Sequence, residues 1–563
     1  MSRTRCAPRV AAVLVAAASI AAACDDTDTA RPGTSRTIST STIDARDPVD
    51  GTPQDVLDPP SVAGTAAPDG GSEGDVADPV TSLRSDQPWR PAIHYAPPYG
   101  WMNDPNGLSY VDGRYHLFFQ YNPLSIDFGD IGWGHAVSDD LVSWETWPVA
   151  IEPAPGELIF SGSLVADRAG TSPLCEPDQD PACLVAIYTT HRDRDGAIVQ
   201  TQDIAVSDRG GIDFVKYDGN PVIDLDLADF RDPKVFWHDE TQRWVMVVVL
   251  PLERQVVLFG SPDLVAWEEL SRFGPIGAVD GIWECPDLFP VPVIDGPAGA
   301  PATKWVMKVD LNPGHIAGGS GGQYFLGEFD GTTFVADEPD APSPRWVDWG
   351  PDFYCATTFH DGADEAGRPL WLGWMNNWTY AADLPTFPWR GSMTIPRRIE
   401  LTEGEDGRLA LTQRLTGELI DRLRQDGETA VSNGVEVTAP AFVLRVDPFA
   451  DGDVADSGGS ASVVLEDEVG AVVAEIQIDR SLRTVRVARL EETNAGPASF
   501  AGESPPAPLG DGSLTILADR SSVEVLADEG RTSITSLVLP IGDIEGIRLE
   551  GLAPDAVELL TIE

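Results

Sequence analysis

The chain has 563 residues, with 90 Asp plus Glu against 38 Lys plus Arg and a formal net charge of −52 at pH 7. Such a surplus repels nucleic acid, anionic lipid and acidic substrates, and leaves a neutral ligand as the compatible class of partner. The length is enough for two sizeable domains plus tails.

At the N-terminus, Arg3, Arg5 and Arg9 precede an apolar run from Val10 to Ala23, followed by Cys24. A basic start, a short apolar stretch and small residues before a cleavage point make an export signal over 1–24. The run is too short to span a bilayer. Ala-Ala-Ala-Cys (21–24) resembles a lipoprotein box with Cys24 as the lipidated residue, although Ala21 stands where Leu is usual. Plain secretion after Ala-x-Ala cleavage is the other reading, and both place the protein outside the cytoplasm. Residues 25–86 are rich in Thr, Ser, Asp, Gly and Pro. They bury too little to order themselves and read as a disordered acidic linker, a tether with reach.

Residues 87–405 alternate short β-rich runs with turn residues. Among the runs are Tyr115–Tyr121, Cys183–Thr190, Lys234–Trp237, Trp244–Leu250, Lys304–Val309 and Leu370–Trp374. The fold class is all-β, and the strands alone leave a sandwich, barrel or propeller open. Asp-Leu-Val-Ser-Trp (140–144) returns as Asp-Leu-Val-Ala-Trp (263–267), a faint internal repeat. Residues 406–427 carry apolar residues at near-helical spacing and read as an interdomain linker with a short helix. Over 428–563 alternating strands return and predict a β-sandwich.

Three carboxylates sit in unusual settings: Asp104 in Trp-Met-Asn-Asp-Pro-Asn-Gly (101–107), Asp232 in Arg-Asp-Pro (231–233), and Glu284 in Trp-Glu-Cys-Pro-Asp (283–287). Paired carboxylates are the working groups of glycoside hydrolysis, and a third can support positive charge in the transition state. The flanking Trp and Asn suit a sugar, whose C–H faces stack on indoles and whose hydroxyls are read by amides. Cys175 and Cys183 bracket a polar loop and predict a local disulfide. Cys285 and Cys355 read as buried free thiols. No Cys/His cluster has metal spacing, so neither metal nor cofactor is expected.

Together with Phe-Phe-Gln-Tyr-Asn-Pro (118–123), Trp-Gly-His-Ala-Val-Ser (133–138), Phe-Ser-Gly-Ser (160–163), Gly-Gly-Ser-Gly-Gly-Gln-Tyr-Phe (318–325), Gly-Trp-Met-Asn-Asn-Trp (373–378) and Asp-Arg-Ser-Ser-Val-Glu-Val (519–525), these motifs resemble the retaining β-fructosidases of glycoside hydrolase family 32. The resemblance runs from about Arg90 to the C-terminus. It implies a five-bladed β-propeller followed by a β-sandwich, and a retaining cleavage of fructans or sucrose.

In those terms Asp104 is expected as nucleophile, Glu284 as acid/base and Asp232 as transition-state stabiliser held by Arg231. The two reacting carboxyl groups would lie about 5–5.5 Å apart. Family positions add a fructose pocket of Asn103, Gln120, Ser161 and Trp378, with Phe160 as an apolar wall. Phe128 stands where many relatives have a pocket Trp, which keeps the wall and loses the indole N–H. Trp133 and Trp374 are read as core. The wording of the motifs favours an exo-acting fructanase of the levanase or inulinase kind. An invertase remains the alternative, and a fructan-capturing lipoprotein without catalysis a remote one.

Overall fold

The computed structural model describes residues 87–364, 366–425, 435–450, 459–510 and 512–562. The signal, Cys24 and the acidic linker expected from the sequence lie outside the described residues.

Strands follow one another in chain order around a ring. Blade one contains β1 (Gly100–Val111), β2 (Arg114–Asn122), β3 (Gly132–Ser138) and β4 (Glu145–Ile151). Blade two contains β5 (Glu157–Ala166), β6 (Leu184–Arg194) and β7 (Ala197–Ser207), with β8 (Val215–Lys216) and β9 (Ile223–Leu227) both paired to β7. Blade three contains β10 (Arg231–His238), β11 (Arg243–Leu250), β12 (Gln255–Ser261) and β13 (Glu268–Phe273). Blade four contains β14 (Ile282–Asp295), β15 (Thr303–Asn312), β16 (Gly321–Phe329), β17 (Phe334–Ala336) and β18 (Arg345–Trp346). Blade five is built from β19 (Tyr354–Thr358) and β20 (Leu370–Trp374), and β21 (Trp389–Arg390) crosses to pair in parallel with β1. Strands β22 (Arg397–Glu403) and β23 (Leu409–Leu415) complete the fifth blade.

The first strand of each blade packs on the first strand of the next: β1 on β5, β5 on β10, β10 on β14, β14 on β19, and β19 back on β1. That closed ring of five inner strands makes the domain a five-bladed propeller. The composition of β11 shows how the blades cohere. Trp244, Met246, Val248 and Leu250 enter one core, while Val245, Val247 and Val249 enter the next. A central strand sandwiched between neighbouring blades must be apolar on both faces, which explains its unbroken aliphatic run.

The internal repeat is a shared turn. Asp140 Oδ1 accepts from the amides of Val142 and Ser143 at 3.0 and 2.7 Å, and Asp263 Oδ1 from those of Val265 and Ala266 at 3.0 and 2.8 Å. Leu141 and Leu264 are buried at positive φ in the two turns. Both turns join the third and fourth strands of a blade.

Beyond the propeller two sheets face each other. One contains Phe442–Val446, Leu514–Asp519, Ser522–Ala527, Thr532–Leu537 and Val557–Ile562, and the other Ser460–Asp467, Val472–Asp479, Thr484–Arg489 and Ile544–Glu550. Leu444, Ile516 and Val525 from the first meet Val463, Ile476 and Val487 from the second in one apolar core, the arrangement of a β-sandwich.

The segment between the domains differs from its sequence reading. Leu409–Leu415 is a strand paired to β22, so blade five extends into the expected linker, and only Gly417–Arg422 is helical, capped by the Thr416 hydroxyl. Leu411, Leu415 and Leu419 are four apart, a spacing that fits a helical face and every second strand residue alike. Pairing with β22 resolves the ambiguity.

Candidate active site

All five inner strands carry the same irregularity near their start. Between Met102 and Pro105, Ile159 and Gly162, Arg231 and Lys234, Glu284 and Asp287, and Tyr354 and Thr357, the inner strand advances three residues while its partner advances two. Each is a β-bulge, which bends the strand and re-aims its side chains. The bulged pairs are Asn103–Asp104, Phe160–Ser161, Asp232–Pro233, Cys285–Pro286 and Cys355–Ala356. Asp232, Cys285 and Cys355 have φ of 67°, 47° and 49°, a left-handed conformation that costs a non-glycine residue about 1–3 kcal/mol and clusters at functional sites.

The bulges bring the three carboxylates together. Ser161 Oγ donates to Asp104 Oδ2 at 2.8 Å, and Gln120, from β2, bonds Ser161 and reaches Asp104 Oδ2 at 3.5 Å. Asp104 Oδ1 is buried and receives no hydrogen bond from the described residues. Asp232 is anchored at both ends: its amide donates to Thr189 Oγ1 at 3.0 Å, and its Oδ2 accepts from the Cys285 amide at 2.9 Å. Glu284 Oε1 accepts from Arg231 at 3.0–3.1 Å, and Oε2 accepts from the Tyr354 hydroxyl.

Arg231 acts on Asp232 through its charge and not through a hydrogen bond. Its guanidinium is engaged by Glu284 and by Asp229 at 2.9 Å, and the hydrogen bond holding the Asp232 carboxylate comes from the Cys285 amide. A planar fork satisfies carboxylates placed along its edge, and Glu284 from the neighbouring blade occupies that place.

Burial pushes the Asp104 carboxyl up to about 6; the Ser161 hydrogen bond opposes the rise and the charge of Glu284 adds to it. Burial likewise raises Asp232 against the opposing charge of Arg231. Asp310, beneath Glu284 in β15, is raised by burial to about 6 in spite of its ion pair with Lys308. Three acids thus bind protons more tightly than exposed ones, because they share a dry site.

Aromatic rings line one side. Trp378 stacks on Trp101, centroids 6.0 Å apart, and Phe128 meets Trp378 and Trp101 edge-on at 5.8 and 6.1 Å. Phe160 lies 6.4 Å from Phe128. Trp101 Nε1 donates to Asn103 Oδ1 at 2.8 Å and fixes that side chain's orientation. Phe128 is 43% exposed, so this ring is available to a ligand. Trp133 and Trp374 are fully buried, as read from the sequence.

Several residues here were not foreseen. Tyr354, Thr189, Lys308 and Asp310 lie in unremarkable strand sequence, and their roles depend on which blades meet. Cys285 and Cys355 are a disulfide, not the free thiols expected. They are 70 residues apart, and the packing of blade four on blade five makes them neighbours. Cys175 and Cys183 are also bonded, Cα atoms 5.7 Å apart. Among the described residues, Asp104 with Cys285 and Cys355 is the one grouping of metal-type donor atoms. Joined sulfurs offer no thiolate, so the set does not fit a metal.

Residues 94–413 match the description "Glycosyl hydrolases family 32 N-terminal domain", and residues 450–559 match "Glycosyl hydrolases family 32 C terminal". A levanase of Bacillus subtilis (strain 168) is 40% identical over 488 residues, covering 84% of this chain and 70% of the relative. An extracellular exo-inulinase of Aspergillus awamori is 38% identical over 512 residues, covering 82% of this chain and 92% of the relative. A crystal structure of exo-inulinase from Aspergillus awamori superposes with TM-score 0.76 at 34% identity, over 85% of this chain and 99% of that chain. The chain belongs to glycosyl hydrolase family 32. As a family 32 hydrolase it cleaves glycosidic bonds, and the carboxylates gathered by the bulges of β1, β10 and β14 are the groups suited to that work.

Proposed function

We propose that this enzyme releases terminal β-D-fructofuranosyl units from fructans, and from sucrose, with retention of configuration. The observation that carries the reading is the pairing of a buried, hydrogen-bond-free oxygen on Asp104 with a Glu284 carboxyl held at both oxygens. Asp104 attacks the anomeric carbon while Glu284 passes its proton to the departing glycosidic oxygen. The fructosyl–Asp104 ester then meets a water deprotonated by Glu284, and fructose leaves. Asp232 hydrogen-bonds fructose hydroxyls and offsets positive charge at the anomeric centre. Its fixed orientation means that little reorganisation is needed in the transition state.

Asn103, Gln120 and Ser161 read the hydroxyls, and Trp378, Phe160 and Phe128 supply the apolar wall. The names of the relatives, levanase and exo-inulinase, support a polymeric fructan as main substrate. The −52 charge is compatible with a neutral sugar of either kind. Extracellular relatives and the N-terminal sequence support an exported enzyme, and Cys24 is the proposed point of lipid attachment. The propeller is the proposed catalytic module and the sandwich its support.

A product time course from levan, inulin and sucrose tests the reading. Free fructose from the first time point, with polymer rates above sucrose, is expected. Early oligosaccharides would indicate endo action, activity on sucrose alone an invertase, and no release from any of them would overturn the proposal.

A further inference from the structure

Two of the five bulges are tied to each other. Cys285, in the β14 bulge, and Cys355, in the β19 bulge, form a disulfide with Cα atoms 5.3 Å apart, well within the range a disulfide accepts. Each cysteine directly follows one partner of a hydrogen bond at the site. Glu284 precedes Cys285, Tyr354 precedes Cys355, and the Tyr354 hydroxyl donates to Glu284. The crosslink therefore runs parallel to that hydrogen bond, one residue away at both ends.

The same two cysteines lie beside the other carboxylates. The Cys285 amide donates to Asp232 at 2.9 Å. A carboxylate oxygen of Asp104 and the two sulfurs lie within 4.8 Å of one another. Beneath the crosslink, Lys308 Nζ donates to Cys285 O at 3.1 Å and to Ala356 O at 2.6 Å, spanning the same two bulges.

Inner strands of neighbouring blades share no ladder of hydrogen bonds here. The bulges of β14 and β19 hold left-handed cysteines, a conformation that persists only where the surroundings enforce it. An acid/base needs its carboxyl placed to within about 0.5 Å.

We propose that the Cys285–Cys355 disulfide is a positioning element for the acid/base step, fixing the Glu284 carboxyl through Tyr354 relative to Asp104. The proposal rests on the assignment of Glu284 as acid/base.

The test compares two substrates. Sucrose releases a sugar alkoxide that needs a proton, whereas 4-nitrophenyl β-D-fructofuranoside releases a stable phenolate that does not. In Cys355→Ala, kcat/KM on sucrose is expected to fall about 10- to 100-fold, and on the nitrophenyl substrate less than about threefold. Glu284→Ala is the reference and should show the same selectivity, enlarged. If Glu284→Ala loses both substrates equally, the acid/base assignment fails whatever Cys355→Ala does.

If Glu284→Ala is selective and Cys355→Ala loses both substrates equally, or loses only thermal stability, the positioning role is overturned. A non-reducing peptide map of the full-length protein that recovers Cys285 and Cys355 unlinked overturns it too. Should Cys355→Ala not fold, Tyr354→Phe decides with the disulfide in place: selective loss on sucrose supports the proposal, and no selectivity sinks it.

Discussion

Arg397 of β22 and Glu524 of the sandwich strand Ser522–Ala527 form an ion pair closed to solvent on both sides. Glu524 also accepts from His94 Nε2 at 2.7 Å and from the Ile395 amide at 3.1 Å. His94 Nδ1 bonds Asp519 at 2.8 Å, and Asp519 takes the amides of Ala92 and Ile93. On the propeller side Arg397 reaches Asp348 at 3.3 Å. The segment entering blade one, blade five and the sandwich thus share one buried charge network with its hydrogen bonds satisfied. The string Asp-Arg-Ser-Ser-Val-Glu-Val (519–525), quoted as a family mark, is the sandwich half of this clamp.

The clamp has a pH signature. Burial alone would push His94 down, but its hydrogen bonds to Asp519 and Glu524 carry it up to about 9. A histidine raised in the folded state contributes stability that is full below its ordinary value of about 6.5 and is lost as pH rises through about 9. The contribution is about 3 kcal/mol at most. The thermal midpoint should fall between pH 7 and 9.5, and His94→Gln should start lower at pH 7 and show a flatter decline. A wild-type midpoint constant over that window would refute the assignment.

Removing the acid should cost more than neutralising it. Glu524→Ala leaves Arg397 with Asp348 and His94 with Asp519 but removes the carboxylate both cations share, and breaking a buried pair from one side costs about 3–5 kcal/mol. Glu524→Gln keeps an acceptor for one of them and should cost less. Denaturant unfolding of the three proteins gives the order. The carboxylates of the propeller site are untouched, so turnover of the folded fraction should stay near wild type.

The raised carboxyls predict an acid limb in the rate. As the proposed nucleophile Asp104 must be ionised, and burial has moved its carboxyl up to about 6. As pH falls through that value kcat/KM should drop about tenfold per unit, with Asp232 titrating jointly rather than as a separate step. Initial rates on sucrose from pH 4 to 8 suffice. A flat profile down to pH 4 would show that Asp104 is not the group that must lose a proton.

The strands were legible because they declare themselves, while the choice of a propeller among all-β architectures came from the family resemblance alone. The run at Val245–Leu250 is apolar at every position since it serves two cores, and turn residues mark its ends. Asp104, Asp232 and Glu284 stood out by their neighbours, and the bulges explain those neighbours: Asn, Pro and Cys sit where the chain leaves regular pairing. Partners across blades were not legible. Nothing in Phe-Tyr-Cys-Ala tells that Tyr354 meets Glu284 or that Cys355 meets Cys285, because the packing of one blade on the next sets both contacts. Arg231 acts by charge on the acid beside it in sequence, but its ion pair with Glu284 on the neighbouring blade was not legible. Leu411–Leu419 misled for a different reason, since a four-residue spacing satisfies strand and helix alike.

The site should weaken the fold it is built on. Asp104 is buried, its carboxyl is raised, and one of its oxygens has no hydrogen bond from the described residues. An acid raised in the folded state stabilises fully below its ordinary value near 4, and this contribution is lost as pH rises through about 6. At pH 8 the folded protein therefore carries a penalty of about 1–3 kcal/mol from this one group. Asp104→Asn removes the charge, keeps the shape and keeps an acceptor for Ser161. It should abolish turnover and raise the thermal midpoint at pH 8, while at pH 4, where Asp104 is already protonated in the folded state, the gain should vanish. An Asn variant no more stable than wild type at pH 8, or equally stabilised at both pH values, would mean that the buried charge is not what the fold works against.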